Sequence, residues 1–336
     1  MHRKRLVGLS VAALVVAMSA VTAVANGAVL VTGAGSTLVQ PLIQQWSAHS
    51  SLWKAVTYGG VGSGTGIEDI TARSVDFGAS DAPMTSAQVS ACKGCVQIPW
   101  ALTATAVAYN VKGVSGLKLT GPVLAQIYQG KITSWNAPAI KKLNKGKRLP
   151  NLKITPVFRS DGSGDTYAFT DFLSHTSSSW SHSIGTSTAV SFPAGTGAKG
   201  NAGVTFVVGE TQGSIGYIAA SYLIAHRLPA AAVENAAGNF EFPNLKNIKN
   251  AAASVKRVGS NGLHIVDPPK KFKIAYPIST FTNGIFPKSS SKASALQALV
   301  RYAVGTGQKF GAALDFQTIP AVVKAADLKL AKQIHG

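Results

Sequence analysis

The chain has 336 residues, of which 46% are hydrophobic and 13% charged, and 32 Lys/Arg against 13 Asp/Glu give it a formal charge of +19 at pH 7. The cations are scattered (Lys141, Lys142, Lys145, Lys147 and Arg148; then Lys270, Lys271 and Lys273) with no aromatic-interleaved motif. They read as solvated surface whose field draws small anions inward, so no nucleic-acid partner is expected.

Residues 1–25 read as an export signal. His2, Arg3, Lys4 and Arg5 form a basic start, Leu6 to Ala20 an apolar core, and Ala23-Val24-Ala25 a small-residue cleavage site. The apolar core is short for a membrane span, and no other run approaches its length. No Cys stands directly after it, so a lipid attachment site is not expected and the mature protein should be periplasmic or extracellular. Removing the three Lys/Arg of this segment from +19 leaves +16. The remaining length of about 310 residues suits two domains.

Further along, Thr37 to Trp46 has helical spacing, followed by short apolar runs at Val56-Thr57-Tyr58 and Val75-Asp76-Phe77-Gly78. Cys92 and Cys95 come next; in an exported chain this spacing favours a local disulfide, and a redox motif lacks its βαβ context. Two cysteines and seven histidines without ligand spacing predict no metal. Strand-like runs at 105–109, 154–158 and 215–218 then alternate with helix-like stretches at 122–129, 166–173 and 294–304, which argues for α/β layers. Gly/Ser-rich tracts at 184–203 and 287–294 read as loops.

Three glycine–hydroxyl turns stand at predicted strand ends: Gly33-Ala34-Gly35-Ser36-Thr37-Leu38, Gly60-Val61-Gly62-Ser63-Gly64-Thr65-Gly66 and Arg159-Ser160-Asp161-Gly162-Ser163-Gly164-Asp165-Thr166. Glycine lets backbone N–H groups turn toward a ligand, and a helix start leaves such groups unpaired. With the macrodipole and the guanidinium of Arg159, the third turn favours a tetrahedral oxyanion. None of the three has the glycine spacing of a nucleotide or dinucleotide loop. Asp81, in Val75-Asp76-Phe77-Gly78-Ala79-Ser80-Asp81-Ala82-Pro83-Met84, is an acid among small and apolar residues, where a charge is costly unless partnered. A plain helix cap is the alternative reading for it.

Taken in order, Gly33–Thr37, Gly60–Gly64, Asp76–Pro83 and Arg159–Gly164 resemble the phosphate-binding proteins of bacterial phosphate ABC importers. Gln126 to Asn136, Gly197-Ala198-Lys199-Gly200-Asn201 and Leu314 to Pro320 add to the likeness, which spans essentially the whole mature chain. The resemblance implies a two-lobed α/β flytrap of the type II periplasmic-binding-protein kind, each lobe a sheet flanked by helices. Residues 26–108 and 277–336 would form lobe I and 109–276 lobe II, with crossing strands near 98–110 and 276–286 as the hinge. It implies inorganic phosphate as ligand, a membrane-embedded ABC permease as partner, a monomer, and no cofactor.

Carried over by motif, Thr37 and the N–H of Leu38, Ser63, Ser163 and Gly164 would donate to phosphate, and Arg159 would supply the cation, held by Asp161. Asp81 would accept the hydrogen bond from the proton on phosphate, which sulfate lacks; a site built around such a bond can discriminate by about 10⁴–10⁵. Asp165 stands where many relatives have Thr. It would either accept a second ligand proton or point outward as a helix-start acid with its N–H still available, and the outward reading is preferred. Two other readings stay open: a binding protein for another oxyanion such as sulfate or arsenate, and a phosphatase-like enzyme. Gly62-Ser63-Gly64 lacks an evident base for the latter, so no catalytic residue is expected.

Overall fold

A computed structural model describes residues 29–259 and 263–336; the export signal read at 1–25 lies outside the described residues. The strands are β1 (Val31–Gly35), β2 (Val56–Gly60), β3 (Phe77–Ser80), β4 (Cys95–Tyr109), β5 (Lys118–Leu119), β6 (Thr155–Arg159), β7 (Thr196–Ala198), β8 (Ser214–Ala219), β9 (Ala232–Glu234), β10 (Phe240–Glu241) and β11 (Ser279–Pro287). Eight of them form one mixed sheet in the order β2-β1-β3-β11-β4-β8-β6-β7, and β10-β9-β5 form a small second sheet.

The long strand β4 joins two halves. Its residues 95–104 pair antiparallel with β11, and 105–109 pair with β8. The chain returns beside the same point, where the Thr105 N–H donates to the Ile278 carbonyl at 2.9 Å. Each half is otherwise built on parallel strands, β2-β1-β3 on one side and β8-β6-β7 on the other. Parallel pairs need crossover helices, and open α/β sheets bind ligands at the carboxyl ends of their strands. Gly35, Ser80 and Arg159 close β1, β3 and β6, which brings the three glycine–hydroxyl turns and Asp81 toward a common region.

The helix Gly164–Thr176 shows how local sequence sets this up. Ser163 caps it, its Oγ accepting from the Thr166 N–H at 3.2 Å. Ala168, Phe169, Phe172 and Leu173 then bury one face, and Phe169 stacks on Tyr217 of β8 at 4.6 Å between ring centroids. Each fully buried aromatic is worth about 1.5–3 kcal/mol, so the helix start is held by its own core. Ser177, in extended conformation, ends it. On the other side Trp46, Trp53, Trp100, Phe77 and Phe286 form an aromatic cluster around β3, β4 and β11.

The tract 184–203, read as loop, contains β7 and the start of the helix Gly200–Glu210. Gly195 there has φ +111°, and a Cβ on it would meet the Pro156 carbonyl. Cys92 and Cys95 form a disulfide, and Arg73 donates to the Cys92 carbonyl at 2.7 Å.

Asp327, on the helix Ala321–Ala331, is 0% exposed, and neither of its carboxyl oxygens has a hydrogen-bond partner among the described residues. Burial pushes its carboxyl up to about 9. In the unfolded chain an aspartate ionises above about 4, so folding stability is lost as pH rises from there toward 9. Asp327→Asn removes this dependence. Urea unfolding should find the variant more stable than wild type, the gap widening by at most ~1.4 kcal/mol per pH unit from pH 5 to pH 8. Equal gaps at the two pH values would contradict it.

Candidate functional site

Asp81 follows β3 directly and is 3% exposed. Ser36, just after β1, donates its hydroxyl to the carboxylate, 2.7 Å from both oxygens. Thr282 of β11 donates to Oδ1 at 2.6 Å. Ser63 Oγ lies 3.4 Å from Oδ2 and accepts from the Asp81 N–H at 3.3 Å. Burial and the facing carboxylate of Asp165 push the Asp81 carboxyl up, while Thr282, Ser36 and Arg159 pull it back.

The opposite wall is built on β6. Arg159 ends that strand with its N–H donated to the Tyr217 hydroxyl at 3.0 Å. Its guanidinium forks onto Asp161 (Nε–Oδ1 2.8 Å, Nη2–Oδ2 2.5 Å) and reaches Asp165 Oδ2 through Nη1 at 3.2 Å. Asp161 Oδ1 also accepts from the Gly200 N–H at 2.9 Å. Burial works against the Asp161 charge, but Arg159 holds its carboxyl below the usual range.

Asp165 does not point outward. It is 0% exposed, and its carboxylate accepts from Thr105 Oγ1 at 2.7 Å and Asn201 Nδ2 at 2.7 Å as well as from Arg159. The outward expectation fails because the first turn of the helix Gly164–Thr176 abuts β4 and the helix Gly200–Glu210, whose polar groups converge on this position. Burial still raises the Asp165 carboxyl, with Arg159, Thr105 and Asn201 opposing.

The two walls touch. The Gly164 N–H donates to Ser63 Oγ at 3.1 Å, and the Gly64 N–H to the Gly162 carbonyl at 3.0 Å. Thr37 Oγ1 accepts from Asn201 Nδ2 at 2.9 Å. Two glycines make the approach possible. Gly62 has φ +100°, where a Cβ would also meet Asp161 Oδ2, and a Cβ on Gly164 would collide with the Asp81 side chain.

Of the residues expected at the site, Thr37, Ser63, Asp81, Arg159, Asp161, Gly164 and Asp165 meet at this junction. The Leu38 N–H donates to Ser36 Oγ at 3.0 Å, and the Ser163 N–H to the Thr188 carbonyl at 2.8 Å, so in this arrangement both are engaged within their own walls. Ser36, Thr105, Asn201, Tyr217 and Thr282 were not anticipated. Ser36 and Asn201 lie inside segments already singled out, which was the available signal.

Three buried or nearly buried carboxylates face one guanidinium, so the fully ionised site carries an excess negative charge of two. Such a site favours a ligand that brings both oxyanion oxygens for the donors and protons for the carboxylates. Among the described residues no group of three His, Cys, Asp or Glu is placed to hold a metal ion.

Residues 20–306 match the family described as a PBP superfamily domain. The chain is 35% identical over 299 residues to the phosphate-binding protein PstS of Xylella fastidiosa (strain Temecula1), covering 87% of this chain and 82% of that one. It is 32% identical over 314 residues to the phosphate-binding protein PstS of Methanocaldococcus jannaschii, covering 84% and 80%. Among solved structures, a high affinity periplasmic phosphate-binding protein (PfluDING) bound with phosphate shares the fold, with a TM-score of 0.74 at 21% identity over 88% of this chain and 92% of that one.

Proposed function

This chain belongs to the PBP superfamily and, within it, to the phosphate-binding proteins, and on that premise we propose that it captures inorganic phosphate outside the cytoplasm and delivers it to a membrane-embedded ABC permease. The observation that carries this reading is Asp81: a buried acceptor set opposite the Arg159 fork, among hydroxyls and helix-start N–H groups.

In this account residues 1–25 direct export and are removed. Lobe I comprises 26–108 and 277–336, lobe II 109–276. Phosphate enters as the walls part, exchanging the Ser63–Gly164 and Thr37–Asn201 bonds for bonds to its oxygens. Thr37, Leu38 N–H, Ser63, Ser163 and Gly164 donate to it, Arg159 neutralises it, and Asp161 keeps the guanidinium oriented. Ligand stabilises the closed state by its differential affinity for it, and closure is what the permease reads. No bond is broken, so the protein is a carrier and not an enzyme.

The buried Asp165 makes the site a two-acceptor one. Asp81 and Asp165 together suit the two protons of dihydrogen phosphate. Affinity should therefore decline as pH rises through neutrality and the ligand loses its second proton. Asp165→Thr leaves one acceptor, and its affinity optimum should move up by about one pH unit, read as Kd between pH 5 and 9. An unchanged optimum removes Asp165 from ligand contact.

The reading itself is tested by thermal unfolding of protein refolded free of ligand. With 1 mM phosphate the midpoint should rise by several degrees, because a ligand at about 100 times its Kd stabilises by ~2.7 kcal/mol. Sulfate at 1 mM should leave it unmoved. A midpoint insensitive to phosphate contradicts the proposal.

A further inference from the structure

Resting on the phosphate reading, we propose that Thr282 is a specificity-determining positioning residue: its hydroxyl donates to Asp81 Oδ1 and fixes the carboxylate as the acceptor for the proton of the ligand.

Strand β11 is arranged for this. Thr280 and Thr282, two residues apart, share a face; Thr280 Oγ1 donates to the Asp81 carbonyl at 3.2 Å and Thr282 Oγ1 to Oδ1 at 2.6 Å. The register against β4 shifts between Thr282 and Asn283. The extra, unpaired residue there is Trp100 of β4, between Pro99 and Ala101, so β11 keeps its regular alternation through Thr280 and Thr282. Thr282 is 0% exposed.

The consequence is electrostatic. A threonine hydroxyl has one proton to give, and here it is directed at the carboxylate. Donors aimed at an ionised carboxylate favour it over the neutral acid. Burial and Asp165 push the other way. The groups that titrate or carry charge near Asp81 are Asp165 and Arg159 across the junction and Tyr58 on β2, whose hydroxyl donates to the Ser36 carbonyl at 2.8 Å. β1, β11 and the start of the helix Ser63–Thr71 bring only hydroxyl side chains to the carboxylate among the described residues. Without the Thr282 donor the balance tips toward the neutral acid. A protonated Asp81 becomes a donor: it can donate to a bare sulfate oxygen, and it no longer offers the carboxylate that accepts from the proton on phosphate.

The test uses Thr282→Val, equal in shape and lacking the hydroxyl, with Thr282→Ala as a second hydroxyl-free variant and Thr282→Ser as the rescue. Phosphate and sulfate are titrated into each full-length mature protein from pH 5 to pH 8.5. Both hydroxyl-free variants should narrow the preference for phosphate over sulfate by about tenfold, the equivalent of one hydrogen bond to a charged group, and most strongly at low pH. Thr282→Ser should restore the wild-type profile. Hydroxyl-free variants with wild-type preference and pH profile, even at lowered thermal stability, overturn the inference and assign Thr282 a packing role. A wild-type protein that binds no phosphate instead refutes the functional reading beneath it.

Discussion

Arg159→Ala is expected to lose phosphate binding altogether and to be less stable than wild type by about 3–5 kcal/mol, the cost of stripping the partner from buried charge. The guanidinium serves two carboxylates at once, with side-chain exposures of 1% for Arg159 and Asp165 and 12% for Asp161. Its removal leaves Asp161, Asp165 and Asp81 facing one another with no cation. The defect should shrink as pH falls: the Asp161 carboxyl, now held below its usual range by Arg159, contributes stability above the unfolded-state value that is lost on acidification in wild type but is already missing from the variant. Urea unfolding at pH 3 and pH 7.5, on either side of the unfolded-state value near 4, measures this. Arg159→Lys restores a charge without the fork that spans both Asp161 oxygens, so it should recover part of the stability while phosphate affinity stays weakened. A stable Arg159→Ala protein with wild-type affinity would remove the arginine from the site.

The second large effect is on selectivity. Asp81→Asn replaces a carboxylate, which only accepts when ionised, by a group that can also donate, so the repulsion that excludes a fully deprotonated oxyanion disappears. Phosphate over sulfate preference should fall by at least one to two orders of magnitude, the equivalent of about 1.5–3 kcal/mol for a hydrogen bond to a charged group. Fold stability should hold or rise, since Asp81 is a buried carboxyl raised by burial and by Asp165, and its ionisation in the unfolded state costs stability as pH increases. Competition of labelled phosphate by sulfate, compared between wild type and variant, reads the effect directly. Undiminished exclusion of sulfate by Asp81→Asn would mean that discrimination lies elsewhere.

The parts of the site that are local in sequence were legible there. Glycine–hydroxyl turns at strand ends announce free N–H groups, and Arg159 and Asp161, two residues apart, announce a fixed cation. Asp165 misled because an acid in the first turn of a helix ordinarily faces solvent. What buries it are Thr105, 60 positions earlier, and Asn201, 36 later, and their convergence is a property of the packed sheet. Thr282 was hidden for a related reason: a threonine in an apolar strand satisfies β-propensity, and nothing local tells a packing hydroxyl from one aimed at a carboxylate. Asp327 lies between Lys324 and Lys329, where a carboxylate would ordinarily reach solvent, and only the tertiary fold turns it inward.

Calorimetric titration of the mature protein, stripped of ligand, with phosphate and then with sulfate between pH 5 and pH 8 tests the central claim most directly. The account predicts tight phosphate binding that weakens as pH rises through neutrality, with no sulfate heat at the upper end of the range, where the Asp81 carboxyl, pushed up to about 7 by burial and Asp165, is ionised. Sulfate binding of comparable strength, or no phosphate binding at any pH, would contradict it.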